Sequence, residues 1–118
     1  MMGQIGNLAG YALMGLGVGI ILRHVFNLLS ARRRIPELLK SGAQILDVRS
    51  PGEFAAGHAS GSRNVPLADL EREAKDLDPN RWIIVCCASG TRSSMARRWL
   101  LRHGFSHVLN GGSWRNLP

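Results

Sequence analysis

Cysteine is scarce in this sequence, and its scarcity excludes two kinds of architecture. The chain has only two cysteines, Cys86 and Cys87, and they are adjacent. Two cysteines cannot build a disulfide framework, which suits a protein of a reducing compartment. A redox pair between them is disfavoured as well, because adjacent cysteines close a strained ring. The spacing of the cysteines and the four histidines matches no set of metal ligands, so we expect no metal site.

Acidic residues are also few. Eight Asp and Glu stand against 15 Lys and Arg, which gives a formal net charge of +7 at pH 7. Nucleic-acid binding would use such an excess, but it also needs a basic patch with interleaved aromatic residues and a recognisable reader motif. Aromatic residues make up only 6% of the chain and we find no such motif. We therefore expect no nucleic-acid partner.

Charge is missing altogether from residues 1–22. Within them, Ile5–Leu22 is an apolar run in which Asn7 is the only strongly polar side chain. As a helix this run reaches about 27 Å, close to the roughly 30 Å of a bilayer's hydrocarbon core. A secretory signal would place basic residues before the run, an amphipathic helix would show a polar face, and a disordered tail would be poorer in large apolar residues. We predict a single transmembrane anchor, with its basic juxtamembrane segment, over residues 1–34.

The residues around this run indicate its orientation and a partner. Arg23, His24 and the triplet Arg32–Arg34 follow it. Because basic residues are enriched on the cytoplasmic side, we expect the rest of the chain to be cytoplasmic, with the triplet against anionic lipid. Glycines recur in two pairs four residues apart, a spacing that lets two membrane helices approach closely and so predicts a homodimer through the anchor helix. The pairs are Gly6 with Gly10 and Gly15 with Gly19.

A later stretch has the pattern of an active-site loop. Ile83–Val85 is a continuous apolar run, as in a parallel strand covered on both faces. Small residues follow over 88–91, and helical spacing begins at Ser93. A cysteine at this junction lies among main-chain N–H donors at the positive end of a helix dipole, with the charge of Arg92 close by. Since such a setting lowers a thiol pKa from about 8.5 to roughly 3.5–7.5, we predict that Cys87 is a nucleophile.

These residues resemble a known family, the rhodanese-like (sulfurtransferase) domains. The resemblance covers about residues 35–115 and rests on four blocks in the family's order, which are 47–54, 57–67, 87–92 and 110–114. It implies that Cys87 carries a persulfide and that the next five residues cradle it. Those five are Ala88, Ser89, Gly90, Thr91 and Arg92. The side chains that it places around or behind the loop are Asp47, Arg49, Glu53 and His58.

Strand and helix patterns alternate from residue 36 onward, which is typical of an α/β fold with a mainly parallel sheet. The predicted elements are a helix over 35–43 with proline at its start and Gly42 at its end, a strand over 44–49, a brief helix from 50, a short strand and turn at 64–67, an amphipathic helix over 68–77, a strand over 83–85, a helix from 93, and a strand over 107–109 before a glycine turn. We therefore predict a rhodanese-like domain over residues 35–118, with a central sheet flanked by helices and preceded by the N-terminal apolar helix.

Glu53 and His58 each have a second interpretation. Ser50 is placed as a helix N-cap with Glu53 in the capping-box position, so the carboxylate has a structural role open to it besides one at the active loop. His58 lies between two glycines, where a hydrogen bond that stabilises a turn is more common than a catalytic base.

The resemblance implies a sulfurtransferase that works by double displacement. Cys87 would take the outer sulfur of a small donor, such as thiosulfate or a persulfide, and pass it to a thiol or cyanide acceptor. This chemistry implies no organic cofactor.

Two other classes of function stay open at this point. Cysteine-based phosphatases and arsenate reductases also surround an anion with Cys and Arg, in the pattern C-x5-R. Counting from Cys87 to Arg92 gives C-x4-R, whereas counting from Cys86 gives C-x5-R. We place Cys86 in the strand, as a buried and inert thiol. The other class is a membrane-tethered module that senses persulfides or binds a partner.

Overall fold

The computed structural model describes the backbone of residues 2–118 and the side chains of residues 7–27 and 29–118. The chain forms two compact units, Met1–Ser30 and Ala31–Pro118. The division therefore falls after residue 30, whereas we predicted it after residue 34. The predicted span begins at Ile5 and the first glycine pair at Gly6. Apart from their helical backbone, both residues lie outside the described part of the chain.

The first unit is a helix with exposed apolar side chains. It belongs to helix α1, which spans Met2–Lys40. Its large apolar residues are turned outward, as Leu8 and Phe26 show, each with 68% of its surface exposed. This helix is long and apolar enough to cross a bilayer. A helix that is apolar on every side is typical of a membrane span or of the interior of a large core.

The predicted helix over 35–43 is wrong in its start, because α1 continues through Pro36. Proline lacks the N–H that bonds four residues back, so inside a helix it removes one hydrogen bond. Ile35 and Leu38 on the same turn are buried in the core of the second unit, and that burial stabilises the turn. α1 also stops before residue 43, at Lys40, and the glycine predicted at its end follows as Gly42, in a left-handed conformation with a φ of +91°.

The second unit is built on a four-stranded sheet in which every pairing is parallel. Its strands are β1 Gln44–Asp47, β2 Arg63–Asn64, β3 Ile83–Cys87 and β4 Val108–Ser113, in the spatial order β2-β1-β3-β4. All residues of the central strand β3 are buried, as expected for a parallel strand covered on both faces. The predicted α/β fold, with a parallel sheet flanked by helices and an N-terminal helix, is confirmed.

Alternation along β3 divides the core into two clusters. Ile83, Val85 and Cys87 pack in one cluster with residues of the helix that follows the strand. Ile84 and Cys86 pack in the other, with residues from the end of α1. Successive side chains of a strand point to opposite faces of its sheet, so the two adjacent cysteines face away from each other. The prediction that Cys86 is a buried strand residue is confirmed, since it has no exposed surface.

Three further helices follow the strands. They are α2 Pro51–Ala56, α3 Leu70–Glu73 and α4 Thr91–Arg102. The predicted helix over 68–77 is therefore only one α-helical turn, flanked by 3-10 turns at Leu67–Asp69 and Ala74–Asp76. Its inward residues are nevertheless buried, as the amphipathic pattern requires; they are Leu70, Ala74 and Leu77.

Strand β4 runs beyond its predicted end at residue 109 and through the two glycines that we expected to form a turn. Val85 lies opposite Asn110 and Cys86 opposite Gly112, so Gly111 is the extra residue of a β-bulge. A Cβ atom at Gly111 would lie 2.9 Å from Ile84 Cγ2, so any other residue there would force the Ile84 side chain or the strand to shift. The bulge lies beside the carboxyl end of β3, where Cys86 pairs with Gly112.

Candidate active site

Cys87 is the last residue of β3 and lies where ligands bind in open α/β sheets. In the sheet, β1 pairs with β2 on one side and with β3 on the other. The order of the strands therefore reverses between β1 and β3. The carboxyl ends of strands at such a switch point form the ligand crevice. Cys87 and Asp47 are the final residues of β3 and β1. The fold thus brings together two of the predicted site residues.

Cys86 is inert by comparison. Burial, with the charge of Asp47 as a second contribution, raises the pKa of the Cys86 thiol to about 12. It stays protonated at neutral pH and faces the core cluster on the other side of the sheet from Cys87. The C-x5-R pattern would make Cys86 the nucleophile. Its loop would then begin before the last residue of β3.

The loop after Cys87 is shorter than we predicted. Gly90 is the N-cap of α4, so Thr91 and Arg92 belong to the first helical turn and only residues 88–90 form the loop. Gly90 has a φ of +103°, which favours glycine, and a Cβ atom there would lie 3.4 Å from Gly112 Cα. The first N–H groups of a helix have no hydrogen-bond partner within it. Because α4 begins at Thr91, close to Cys87, these groups can donate to the sulfur. The Gly90 N–H donates to Cys87 Sγ over 3.0 Å.

The pKa of the Cys87 thiol reflects two opposed effects. Burial disfavours the thiolate and by itself raises the pKa. Hydrogen bonds from the Ser93 hydroxyl and from the main-chain N–H groups of Ser93, Ser89 and Gly90 outweigh burial, so the pKa is lowered overall. We predicted that main-chain N–H groups, the helix dipole and the charge of Arg92 lower this pKa; of these, the main-chain N–H groups act on the sulfur, and the Ser93 hydroxyl adds a hydrogen bond that we did not predict.

Ser93 and Asn110 are site residues that sequence reasoning missed. Ser93 is fully buried, and its Oγ lies 3.4 Å from Cys87 Sγ and 2.7 Å from Asn110 Oδ1. Asn110 also accepts from the Gly112 N–H and donates to the Gly90 carbonyl, at 2.9 Å and 3.2 Å. It therefore ties the bulge of β4 to both the loop and α4. The available signal was the position of Asn110 at the head of the 110–114 block, but nothing in the sequence paired it with Ser93.

The Ser93 hydroxyl has one proton and two acceptors. While Cys87 is a thiol, its S–H donates to Ser93 and Ser93 donates to Asn110. When the sulfur is ionised, the hydroxyl can turn to donate to it, and charge-assisted hydrogen bonds are the stronger ones. The Gly112 N–H still satisfies Asn110 Oδ1 after that turn. Ser93 thus favours the anionic forms of the sulfur.

Substitution of Ser93 by alanine is expected to raise the pKa of Cys87, because the anion loses a donor while the burial that disfavours it remains. The pH profile of Cys87 alkylation should move to higher pH, so the rate should fall most at pH values below the inflection. Ser94→Ala is the matched control, since its main-chain N–H bonds to Gly90 O and no side-chain hydrogen bond joins it to the sulfur. An unchanged profile in Ser93→Ala would contradict this role.

Arg92 is bound to Glu53. Its two terminal nitrogens donate to the two carboxylate oxygens of Glu53 over 2.7 Å and 2.9 Å. Glu53 also completes a capping box with Ser50. It therefore has the structural role that we considered for it and, in addition, binds the arginine that follows the loop. The Arg92 guanidinium, followed by Ser50, lowers the pKa of the Glu53 carboxyl to about 2. The pair is therefore ionised at every physiological pH.

Asp47 and Arg49 lie behind the loop as a buried ion pair. The Arg49 guanidinium is 2.8 Å from Asp47 Oδ2, and their side chains are 5% and 0% exposed. Arg49 also donates to the carbonyl oxygens of Gly57 and Glu53, at 2.7 Å and 3.3 Å. These bonds attach α2, and with it the Glu53 side chain, to the end of β1.

His58 is the predicted residue that contacts the last turn of α2. It is exposed, its Nδ1 lies 2.9 Å from the Phe54 carbonyl oxygen, and its ring stacks on Phe54 with centroids 3.8 Å apart. This is the turn-stabilising arrangement rather than that of a base beside the nucleophile. Ala88, Ser89 and Thr91 are exposed at the loop surface.

Comparison with known proteins agrees with this geometry. Residues 33–114 match the model of the rhodanese-like domain. The chain belongs to the rhodanese-like family. This match includes the strands, Cys87 and the residues that surround it.

Two curated relatives and one solved structure show how far the likeness extends. The rhodanese-like chain is 38% identical over 94 residues to the thiosulfate sulfurtransferase GlpE of Pseudomonas aeruginosa, covering 74% of this chain and 83% of that protein. It is 41% identical over 66 residues to the putative sulfur carrier protein YrkF of Bacillus subtilis, covering 56% of this chain but only 36% of YrkF. A rhodanese with anions from E. coli matches at a TM-score of 0.60 and 32% identity, over 65% of this chain and 95% of that one.

The rhodanese-like site is suited to holding a negatively charged sulfur. A buried sulfur at a strand end receives a main-chain N–H and faces a buried hydroxyl. Donors that are already in place stabilise charge without reorganising, as in an oxyanion hole.

Proposed function

We propose that this protein is a sulfurtransferase that carries sulfane sulfur as a persulfide on Cys87. The observation that carries the proposal is the surroundings of the Cys87 sulfur, in which hydrogen bonds outweigh burial and lower the thiol pKa. The thiolate is the nucleophilic form of cysteine. The 38% identity to a thiosulfate sulfurtransferase over most of that protein supports the same reaction class.

In the first half-reaction the Cys87 thiolate attacks the outer sulfur of a sulfane donor. With thiosulfate, a bond forms between Cys87 Sγ and the outer sulfur while the S–S bond of the donor breaks, and sulfite leaves with the electron pair. The product is an anionic persulfide, and the Ser93 hydroxyl and the Gly90 N–H are the donors within reach of its inner sulfur. No proton has to be removed, so the step needs no base and His58 needs no catalytic role.

In the second half-reaction an acceptor attacks the outer sulfur of the persulfide. With cyanide, a C–S bond forms, the S–S bond breaks, and thiocyanate leaves while the Cys87 thiolate is restored. A thiolate acceptor reacts in the same way and leaves as a new persulfide. The cycle is covalent catalysis by double displacement.

The test is the loading of Cys87 with sulfur. Incubation of the full chain with thiosulfate is expected to add the mass of one sulfur atom to the peptide that contains Cys87, and cyanide should remove it with formation of thiocyanate. Fragmentation of the peptide distinguishes Cys87 from Cys86. Loading at Cys86, or no loading by any sulfane donor, would contradict the proposal.

The phosphatase or arsenate reductase alternative has less support from the site. Those enzymes need a wider loop with an arginine that binds the oxyanion, whereas here only residues 88–90 separate Cys87 from α4. The Arg92 guanidinium is also engaged by both oxygens of Glu53. Persulfide sensing or partner binding would use the same persulfide on Cys87 and differs only in what receives the sulfur.

We also propose that α1 anchors the protein in a membrane with the catalytic unit on the cytoplasmic side. Exposed apolar residues such as Leu8 and Phe26 leave its first unit without a polar face, and the basic triplet Arg32–Arg34 follows it. A homodimer through this helix is part of the proposal, because Gly15 and Gly19 lie four residues apart on it and small residues at that spacing let helices approach closely. Loss of crosslinked dimer in Gly15→Leu with Gly19→Leu is its test.

The full chain is expected to remain in the membrane fraction after carbonate washing. A chain that begins at Ala31 should be in the soluble fraction, because it lacks the exposed apolar unit. Protease added outside intact cells should leave the catalytic unit uncut. Release of the full chain by carbonate would argue against the anchor, and digestion from outside would reverse the orientation.

A further inference from the structure

The Arg92–Glu53 ion pair lies at the surface of the site and is attached from several sides. The Arg92 and Glu53 side chains are 37% and 39% exposed, so molecules approaching from solvent can reach them. Glu53 also accepts from the Ser50 N–H and hydroxyl, at 3.3 Å and 3.0 Å. Arg49 holds the main chain of the same residue through its carbonyl. The carboxylate is therefore part of the built structure of the site.

The charged side chains of the site cancel in pairs. Asp47 neutralises Arg49 behind the loop, and Glu53 neutralises Arg92 at its surface. The negative charge of the sulfur is held by uncharged groups, the Ser93 hydroxyl and main-chain N–H groups. An incoming anion thus meets a guanidinium that already binds a carboxylate through both terminal nitrogens, and the repulsion from that carboxylate grows with the charge of the anion.

We propose that Glu53 is a specificity-determining residue that sets this site for sulfane donors of low charge. By holding Arg92 in a neutral pair, it favours monoanionic donors, such as alkanethiosulfonates and hydropersulfides, over dianionic thiosulfate. This inference rests on the proposed sulfurtransferase function and names the donor class for it. The attack is the same for all of these donors: the Cys87 thiolate bonds to the outer sulfur, the S–S bond of the donor breaks, and sulfite, an alkanesulfinate or, from a hydropersulfide, a thiolate leaves with the electron pair.

Two donors of matched chemistry test the proposal. Thiosulfate and methanethiosulfonate both present an outer sulfur on an oxidised sulfur, but they carry two charges and one. With the full chain in an uncharged detergent and cyanide as common acceptor, Glu53→Gln is expected to raise the ratio of kcat/KM for thiosulfate to that for methanethiosulfonate by roughly fivefold to tenfold. The glutamine keeps the size of the side chain and an oxygen for the Ser50 N–H, so the change is mainly one of charge.

Two further variants separate charge from structure. Ser50→Ala removes the hydroxyl of the capping box and keeps both charges, so the donor ratio should stay at the wild-type value. The double variant Glu53→Gln with Arg92→Gln removes both charges and should return the ratio toward wild type. A ratio that does not change in Glu53→Gln overturns the proposal. An equal loss for both donors does so too, because it makes Glu53 only a support of the fold.

A second measurement does not depend on sulfur transfer. Iodoacetate and iodoacetamide alkylate the same thiol but differ by one charge, and Glu53→Gln is expected to raise the ratio of their rates at Cys87. If the wild type transfers sulfur from neither donor, the proposed function fails and this ratio still decides whether Glu53 discriminates by charge. An unchanged ratio there overturns the inference about Glu53 while leaving the sulfurtransferase assays to decide the reaction.

Discussion

Replacement of Cys87 by serine is expected to reduce sulfur transfer to the uncatalysed background. The persulfide needs a sulfur atom at the position that the Gly90 N–H and Ser93 surround. A serine hydroxyl there cannot form an S–S bond, and it ionises far above the pH at which a cysteine in this setting does. Because the covalent intermediate is lost, we expect a loss of at least about 10³-fold, measured as thiocyanate formed from thiosulfate and cyanide.

Cys86→Ala is the matched control for this variant. Cys86 is the neighbouring residue on the opposite face of β3, and burial keeps it protonated. The variant removes a sulfur atom from the chain without touching the loop, so most of the activity should remain. Similar losses in both variants, with the fold intact by circular dichroism, would mean that the sulfur is not carried by Cys87 alone.

Replacement of Asp47 by alanine is expected to destabilise the second unit by about 3–5 kcal/mol, because it leaves a buried guanidinium without its partner. Asp47 is fully buried and binds Arg49 through both carboxylate oxygens. All three tryptophans lie between residues 82 and 114. Urea unfolding followed by tryptophan fluorescence, with the full chain in an uncharged detergent, therefore reports this unit.

Asp69→Ala provides the comparison. Asp69 also pairs with an arginine, but its distance to Arg72 is 3.4 Å and the side chains are 41% and 70% exposed. Exposed pairs contribute about 1 kcal/mol or less, so this loss should be small. The double variant Asp47→Ala with Arg49→Met should recover part of the stability, because the unpaired charge is gone. Equal costs for Asp47→Ala and Asp69→Ala would contradict the importance of the buried pair.

Local features of the chain were predictable because they depend on neighbours in sequence. The apolar run Ile83–Val85 specified a buried strand, and Ser50 with Glu53 specified a capped helix. The glycine at position 42 specified the end of α1. The errors occurred where packing outweighed a local signal. Pro36 is typical of a helix start, yet α1 continues through it because Ile35 and Leu38 are buried on that turn.

The partners of the site side chains were not predictable in the same way. The sequence places Arg92 five residues after Cys87, which suggested that its charge acts on the thiolate. In the structure, its carboxylate partner Glu53 is 39 residues away along the chain. Asn110 is 17 residues from Ser93 and reaches it where the bulge of β4 lies next to the loop.

The sequence by itself determined the α/β class, the order of most elements, the apolar N-terminal helix and the place of Cys86 inside a buried strand, because periodicity and alternation act over a few residues. Only the tertiary structure decided that the Ser93 hydroxyl, held by Asn110, adds to the main-chain N–H groups that lower the Cys87 pKa, and that Glu53 binds Arg92. Those contacts join α2, α4 and β4, and they depend on the register of a parallel sheet, whose neighbouring strands are far apart in the chain.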